Sequence, residues 1–136
     1  MKTDMGVIAT NHREITLYYN AETQKGMQTL AYLQSSSKKV QDIDLSKTKV
    51  TGTQWTEIAK RLGKSIKALI NTQHPNFKKE YGSSQDLQSD EDWLKILVNN
   101  PAVVTQPILL HHNKAVQIDT PSEALVFLKD DESSKL

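Results

Sequence analysis

Hydrophobic and polar positions alternate with two different periods along this 136-residue chain. A β-branched and aromatic run from Ile15 to Tyr19, closed by Asn20, predicts a strand followed by a turn. Between Thr23 and Ser36 apolar residues recur at helical spacing, and a second short run from Val40 to Leu45 predicts another strand. A strand, a helix and a strand within about 30 residues predict a βαβ unit with parallel strands. The predicted apolar face of the helix consists of Met27, Leu30, Ala31 and Leu33.

The middle of the chain, about residues 51–100, has the pattern of a helical insert. A capping-box pattern at Thr51 precedes an apolar stripe that ends at Gly63. A second helix is predicted between Pro75 and Gly82, and a third begins at Ser89, which three acidic residues follow. Helices therefore replace strands throughout this part of the sequence.

The last third of the chain returns to short strands. The runs Ile108 to His111 and Ala115 to Ile118, joined through Asn113 and Lys114, predict a hairpin. A capping pattern from Thr120 to Glu123, with a proline at the first helical position, predicts a final helix that ends at about Leu128.

These elements predict an α/β fold in the order βαβ, helical insert, ββα. The sheet is expected to be mixed and four-stranded, with helices on both faces. We expect a single domain over residues 14–128, an N-terminal extension over 1–13 and a polar tail over 129–136, since a chain of this length has the size of one domain.

Composition and charge narrow the range of functions. Seventeen Lys and Arg against sixteen Asp and Glu leave a formal charge of +1, so no overall field attracts a polyanion and nucleic acid is not expected as a partner. No apolar run approaches the ~20 residues of a membrane span, and the first residues lack a signal-peptide core, so we expect no membrane partner and a cytoplasmic protein. The chain has no cysteine, which excludes thiol redox chemistry and thiolate metal sites.

The order of elements, together with several short motifs, resembles the thioredoxin-like arsenate reductase (ArsC) family, which includes the Spx-type transcription regulators. The resemblance covers about Ile15 to Leu128. The residues that carry it are Ile15 to Asn20, Thr29-Leu30, Leu62-Gly63, Ala68 to Asn71, Asn100-Pro101, Gln106 to Ile108 and Pro121 to Glu123.

The resemblance implies a nucleophilic cysteine at the start of the first helix, but here that position is Thr23. A threonine hydroxyl is not ionised at neutral pH and cannot form a disulfide. No catalytic residue is therefore expected, and Thr23 is the vestige of the nucleophile position.

The family's oxyanion-binding arginines align with Asn71, Gln106 and Gln117, and its active-site proline aligns with Ala21. Each lost charged contact would cost about 1.5–3 kcal/mol, so affinity for a dianion is expected to be largely lost. The resemblance also implies a cis peptide bond before Pro107, beside the active-site loop.

The start of the first helix still offers backbone N–H groups at Thr23, Gln24, Lys25 and Gly26, with Lys25 as the nearby cation. These groups could hold a weak anion. The competing interpretation is that Thr23 is an ordinary N-cap and Lys25 a solvated surface charge.

His111 and His112 raise the question of a metal site, with His74 or His12 as a third ligand. Adjacent residues on a strand point to opposite faces, so one ligand at most would face any metal from this pair. No metal site is expected.

The sequence favours a pseudoenzyme of the ArsC family, retained as a binding or regulatory module with no cofactor and with a protein partner. The alternative is a glutathione-binding or glutathione transferase-like enzyme, in which the Thr23 hydroxyl would stabilise the thiolate of glutathione. A residual oxyanion sensor built around Lys25 is a third hypothesis.

Overall fold

The computed structural model describes residues 14–36, 38–82 and 89–133. These residues belong to two compact units, one formed by 14–44 with 106–133 and the other by 45–105. The predicted N-terminal extension and the last three residues of the predicted tail lie outside the described residues.

The first unit contains a four-stranded mixed sheet of β1 (Glu14–Tyr19), β2 (Lys39–Asp44), β3 (Ile108–His111) and β4 (Lys114–Gln117). The strand order is β2-β1-β3-β4. Strand β1 runs parallel to β2 and antiparallel to β3, and β3 pairs antiparallel with β4. The predicted parallel start, the hairpin and the mixed sheet are confirmed.

Two helices complete this unit, α1 (Gln24–Gln34) and α5 (Glu123–Ser133). One face of β1 packs into an apolar cluster with residues of both helices, of β3 and of the segment after β4. Burial of each large aliphatic side chain contributes about 1.5–3 kcal/mol. The members of the cluster are Ile15, Leu17, Tyr19, Leu30, Leu33, Leu109, Ile118, Ala124 and Leu128.

The buried face of α1 differs from the predicted one. Leu30 and Leu33 are buried as expected, but Met27 is 46% exposed and Ala31 is exposed as well. Gly26 and Thr29 take their places on the packed face. The Thr29 hydroxyl donates to the Lys25 carbonyl oxygen at 2.7 Å, which satisfies this polar group without water.

The end of α5 also differs from the prediction, because the helix continues past Leu128 to Ser133. No proline or glycine occurs in this stretch, so nothing in the sequence stops the helix, and polar composition alone was a poor guide to its end. The helix begins at Glu123, two residues after the predicted first position Pro121. The reciprocal contact of Glu123 was predicted correctly. Glu123 Oε1 accepts hydrogen bonds from Thr120 N at 2.8 Å and from Asp119 N at 2.9 Å, as a reciprocal cap requires.

The second unit is built from helices, as predicted for the insert. It contains α2 (Gly52–Leu62), α3 (Pro75–Tyr81) and α4 (Asp90–Asn99), with 3-10 turns at Lys67–Leu69 and Pro101–Val103. The helices α2 and α4 pack against each other. None of the helices in the described part of the chain is long and apolar enough to cross a bilayer.

Aromatic side chains form the centre of the second unit. The rings of Phe77 and Trp93 stack 6.0 Å apart, and the ring of Tyr81 lies 5.3 Å from that of Phe77. Trp55 and Trp93 are 0% and 3% exposed, so both are core residues, as their positions on the helical stripes predict.

Tyr19, at the end of β1, gives the first unit a pH-dependent stability. Its hydroxyl donates to Asp42 Oδ2 at 3.1 Å. Burial, then the hydrogen bond to Asp42, then the charges of Asp42 and Asp44 raise the pKa of Tyr19 from 10.0 to about 12. The folded state therefore holds this proton to higher pH than the unfolded chain does.

We predict that the free energy of unfolding falls by about 2 kcal/mol between pH 10 and pH 12 through this residue. The folded state binds more protons than the unfolded state in this window, so stability is lost as the pH rises. Urea denaturation of the wild type and of Tyr19→Phe at both pH values measures the effect. An equal loss in both proteins would contradict the role of Tyr19.

Candidate functional site

The loop between β1 and α1 is held by its own backbone amides. Ala21 N donates to Asp44 Oδ1 at 3.1 Å, which ties the loop to the end of β2. Glu22 N donates to Asn20 Oδ1 at 2.9 Å, and Thr23 N donates to the Asn20 carbonyl oxygen at 3.0 Å. These bonds fix the start of α1 at the end of β1, which is an inner strand of the sheet.

Thr23 is the N-cap of α1, with extended backbone angles of φ −108° and ψ 146°. Its Oγ1 accepts a hydrogen bond from Gly26 N at 3.0 Å. The same hydroxyl donates its proton to the Asn20 carbonyl oxygen at 2.8 Å. A hydroxyl has one proton, so Thr23 has none left to donate to a ligand while this bond persists.

Gly26 makes this cap compact. A Cβ on Gly26 would collide with the Asn20 carbonyl oxygen and would lie 2.8 Å from Thr23 Oγ1. The close approach of the loop to the first helical turn therefore depends on the missing side chain. Gly26 therefore has a packing role, and its N–H is used by the cap rather than offered to a ligand.

Lys25 is paired with a carboxylate rather than solvated alone. Its Nζ lies 3.4 Å from Asp119 Oδ1, and the two side chains are 39% and 72% exposed. Gln106 Nε2 donates to the same Asp119 oxygen at 3.1 Å. The cation nearest to the helix start thus has its charge compensated, although an exposed pair of this kind adds at most about 1 kcal/mol to stability.

Asp119 was missed by the sequence analysis. Its backbone N–H and that of Thr120 both donate to Glu123, so the cap of α5 holds Asp119 in place. The available signal was an acidic residue directly before the capping pattern of Thr120 to Glu123. Without the fold, nothing indicated that this carboxylate would meet Lys25 and Gln106.

The remaining predicted site residues have separate positions. Gln24 is the first residue of α1, and Gln117 lies in β4 opposite Ile108. Asn71 belongs to the second unit, where its N–H donates to the Val103 carbonyl at 2.7 Å and its Oδ1 accepts from Gln73 N at 2.9 Å. Two pairs of predicted site residues are therefore connected. Thr23 accepts a hydrogen bond from Gly26, and Lys25 and Gln106 both contact Asp119.

The peptide bond between Gln106 and Pro107 is trans, so the expectation of a cis bond is wrong. Bonds of this type favour trans by about 0.5–1 kcal/mol unless their surroundings select the cis form. In the trans form the Pro107 carbonyl accepts a hydrogen bond from Ile118 N at 2.8 Å, which closes the base of the β3-β4 hairpin.

The two adjacent histidines do not point to opposite faces. Their ring centroids are 4.0 Å apart. His111 pairs with Lys114, so His112 and Asn113 form the hairpin turn, and His112 has a φ of 58°. The rule of alternating faces does not apply to a residue that has left the strand.

No group of three His, Asp or Glu side chains in the described residues could hold a metal ion. His74 is occupied as the N-cap of α3, where its Nδ1 accepts from Asn76 N at 3.0 Å. His12 lies outside the described residues.

A family model for the ArsC family matches residues 25–125, most of the chain. The chain belongs to the ArsC family. Among solved structures, this ArsC-family chain is similar to an arsenate reductase from Vibrio cholerae, with 22% identity, a TM-score of 0.72 and coverage of 85% of this chain and 98% of that one. No curated protein sequence matches it.

Two further structures have the same fold. A possible arsenate reductase from Streptococcus mutans is 20% identical, with a TM-score of 0.67 and coverage of 86% of this chain and 100% of that one. An arsenate reductase (ArsC) related protein from Brucella melitensis is 14% identical, with a TM-score of 0.62 and coverage of 89% and 99%. These structural matches confirm the predicted ArsC-type thioredoxin-like fold.

We predict that Thr23→Ala in this ArsC-family protein lowers the free energy of unfolding by about 1 kcal/mol, because it removes the side-chain cap of α1. Thr23→Ser keeps the hydroxyl and is expected to retain most of the stability. Urea denaturation of the three proteins at neutral pH measures the difference. Equal stability of Thr23→Ala and the wild type would contradict the capping role.

Proposed function

We propose that this ArsC-family protein is a non-catalytic binding or regulatory module and not an arsenate reductase. The observation that carries the proposal is the hydrogen bonding of Thr23, at the position that resembles the family's nucleophile. Its hydroxyl donates to Asn20 and accepts from Gly26, so the residue there caps a helix.

The chemistry of the family supports the proposal. In the family's reaction a cysteine thiolate attacks the oxyanion, and a second thiol, from glutathione, then forms a disulfide with that cysteine. The two thiols together give up the two electrons that reduce the oxyanion. An alcohol cannot form this disulfide, and the sequence contains no cysteine. Without the thiol the chain has neither the nucleophile nor its half of the disulfide.

The charges near the helix start also support the proposal. Lys25 is the cation closest to Thr23 along the chain, and Asp119 compensates its charge. Glu123 lies next to Asp119 through the cap of α5. A dianion would have to displace or tolerate these carboxylates, which disfavours tight binding there.

The glutathione hypothesis requires the Thr23 hydroxyl to donate its proton to a thiolate. That proton is already donated to the Asn20 carbonyl oxygen at 2.8 Å, inside a compact loop. Binding of glutathione would have to break this bond, so the geometry favours the module over the enzyme.

The weak-anion hypothesis depends on two amides of the first helical turn, those of Gln24 and Lys25. They meet no acceptor within the described part of the chain and are therefore available to an anion.

A groove in the first unit supports the binding half of the proposal. It has a volume of about 580 Å³ and is lined only by uncharged residues. Tyr32 is 41% exposed beside it, and a partly exposed tyrosine is a common anchor in protein contacts. We therefore propose that the groove binds a protein partner, as the Spx-type resemblance implies. A cytoplasmic location stays a prediction. The lining residues are Gln28, Ala31, Tyr32, Ser35, Thr120, Pro121 and Ser122.

We expect the pure protein to show no arsenate-dependent consumption of reducing equivalents in the presence of glutathione and glutaredoxin. The physical reason is the missing thiol, which no other residue of the chain can supply. A cysteine-containing arsenate reductase in the same reagents serves as the positive control. Turnover above the blank would reject the proposal.

Calorimetry on the same preparation separates the module from the glutathione-dependent enzyme. The module predicts no heat at millimolar glutathione for the wild type or for Thr23→Val. Saturable heat that disappears in Thr23→Val would favour the enzyme.

The partner surface is tested by affinity capture with Tyr32→Glu, using Val126→Glu on the exposed side of α5 as the matched control. Val126 is 58% exposed and does not line the groove. A partner lost only in Tyr32→Glu supports the groove, whereas loss in neither variant or in both would contradict it.

A further inference from the structure

A small pocket in the second unit has a different chemistry from the helix start described above. It has a volume of about 190 Å³ and lies between the segment that precedes α2 and the end of α4. From this segment the lining includes two residues with hydroxyl side chains, Ser46 and Thr48, and two lysines, Lys47 and Lys49.

Three asparagines also line the pocket. Asn76, at the start of α3, and Asn99 and Asn100, at the end of α4, line it together with the buried residues Pro101 and Ala102. Among the lining residues that the structure describes, none carries a carboxylate. Lysine, hydroxyl and amide groups can all donate hydrogen bonds, so the lining is rich in donors and has a formal charge of +2.

The segment that carries the lysines is anchored at both ends. Leu45 is 2% exposed and Val50 is 3% exposed, so the four residues between them connect two buried positions. This anchoring limits how far the two lysine backbones can move apart. A donor set that is already held in place loses less conformational entropy when it binds a ligand.

The two lysines are not neutralised by the rest of the unit. Neither forms an ion pair with a residue in the described ranges, in contrast to Lys25. Their like charges repel each other, and a bound anion would relieve this repulsion. The C-terminal end of α4 contributes a partial negative charge near Asn99, but only about half a unit, against two full positive charges.

Asn100 also has a fixed side chain. Its Nδ2 donates to Tyr81 Oη at 2.8 Å. The amide plane of Asn100 is therefore oriented by the aromatic core, which gives the pocket one rigid wall.

We propose that this pocket binds a phosphoryl dianion, either as free phosphate or as a phosphate monoester. Its volume suits a single tetrahedral oxyanion, and its donors are those that charge-assisted hydrogen bonds to phosphate require. The two lysines act as point charges, while Thr48 and the asparagines supply neutral donors. The site uses none of the residues at the start of α1, so it is independent of the proposed function.

Amide chemical shifts of the ¹⁵N-labelled full chain, followed during a titration with inorganic phosphate, test the proposal. Sodium chloride at matched ionic strength corrects for screening of exposed charges. We expect saturable shifts at Lys47, Thr48, Lys49 and Asn100, with a Kd in the millimolar range, on the order of −4 kcal/mol.

Lys47→Ala and Lys49→Ala are each expected to weaken binding by about fivefold, and the double variant to abolish saturation. Lys60→Ala, on the exposed side of α2, is the matched control and leaves the affinity unchanged. All three lysines are exposed, and the unperturbed spectrum of the rest of the chain verifies folding.

A parallel titration with O-phosphoserine distinguishes the two sources, since tighter binding than that of phosphate indicates a monoester and weaker binding indicates the free ion. The proposal is overturned if no shift saturates, if the shifts survive the double lysine variant, or if they occur only at Thr23 to Gly26.

Discussion

The hydroxyl of Thr23 forms the two hydrogen bonds on which the rest of the candidate site depends. It accepts from Gly26 and donates to Asn20, so one side chain joins the loop after β1 to the first turn of α1. Gly26 allows the close approach, and the buried face of α1 continues from it through Thr29 to Leu33. Thr23 is thereby part of the packing of α1.

The charges around this cap are arranged to compensate each other. Asp119 compensates the charge of Lys25, and Gln106 donates to the same carboxylate oxygen. The absence of cysteine from the chain and the compensation of Lys25 both support the proposal of a non-catalytic module. In the second unit, by contrast, Lys47 and Lys49 line a pocket to which no other described residue contributes a charge.

The elements of the fold could be predicted from periodicity and caps, since Thr51, Ser89 and Glu123 act through local hydrogen bonds that their own sequence neighbours complete. The contacts between elements that are distant in sequence could not be predicted in this way. Exposure of Met27 depends on what packs against α1, and the contact of Asp119 with Lys25 joins residues 94 positions apart. The His112 turn and the trans bond before Pro107 depend on hairpin geometry that neither alternation nor family resemblance specifies.

Hydrogen exchange at the Gly26 amide tests the central claim most directly, because this amide donates to the Thr23 hydroxyl. The account predicts that the amide is protected in the wild type and that protection falls in Thr23→Ala, while the amide of Leu33, in the middle of the buried cluster, stays protected. Exchange of Gly26 in the wild type at the rate of an unstructured peptide would mean that the hydroxyl is not engaged as a cap. It would then be available for chemistry.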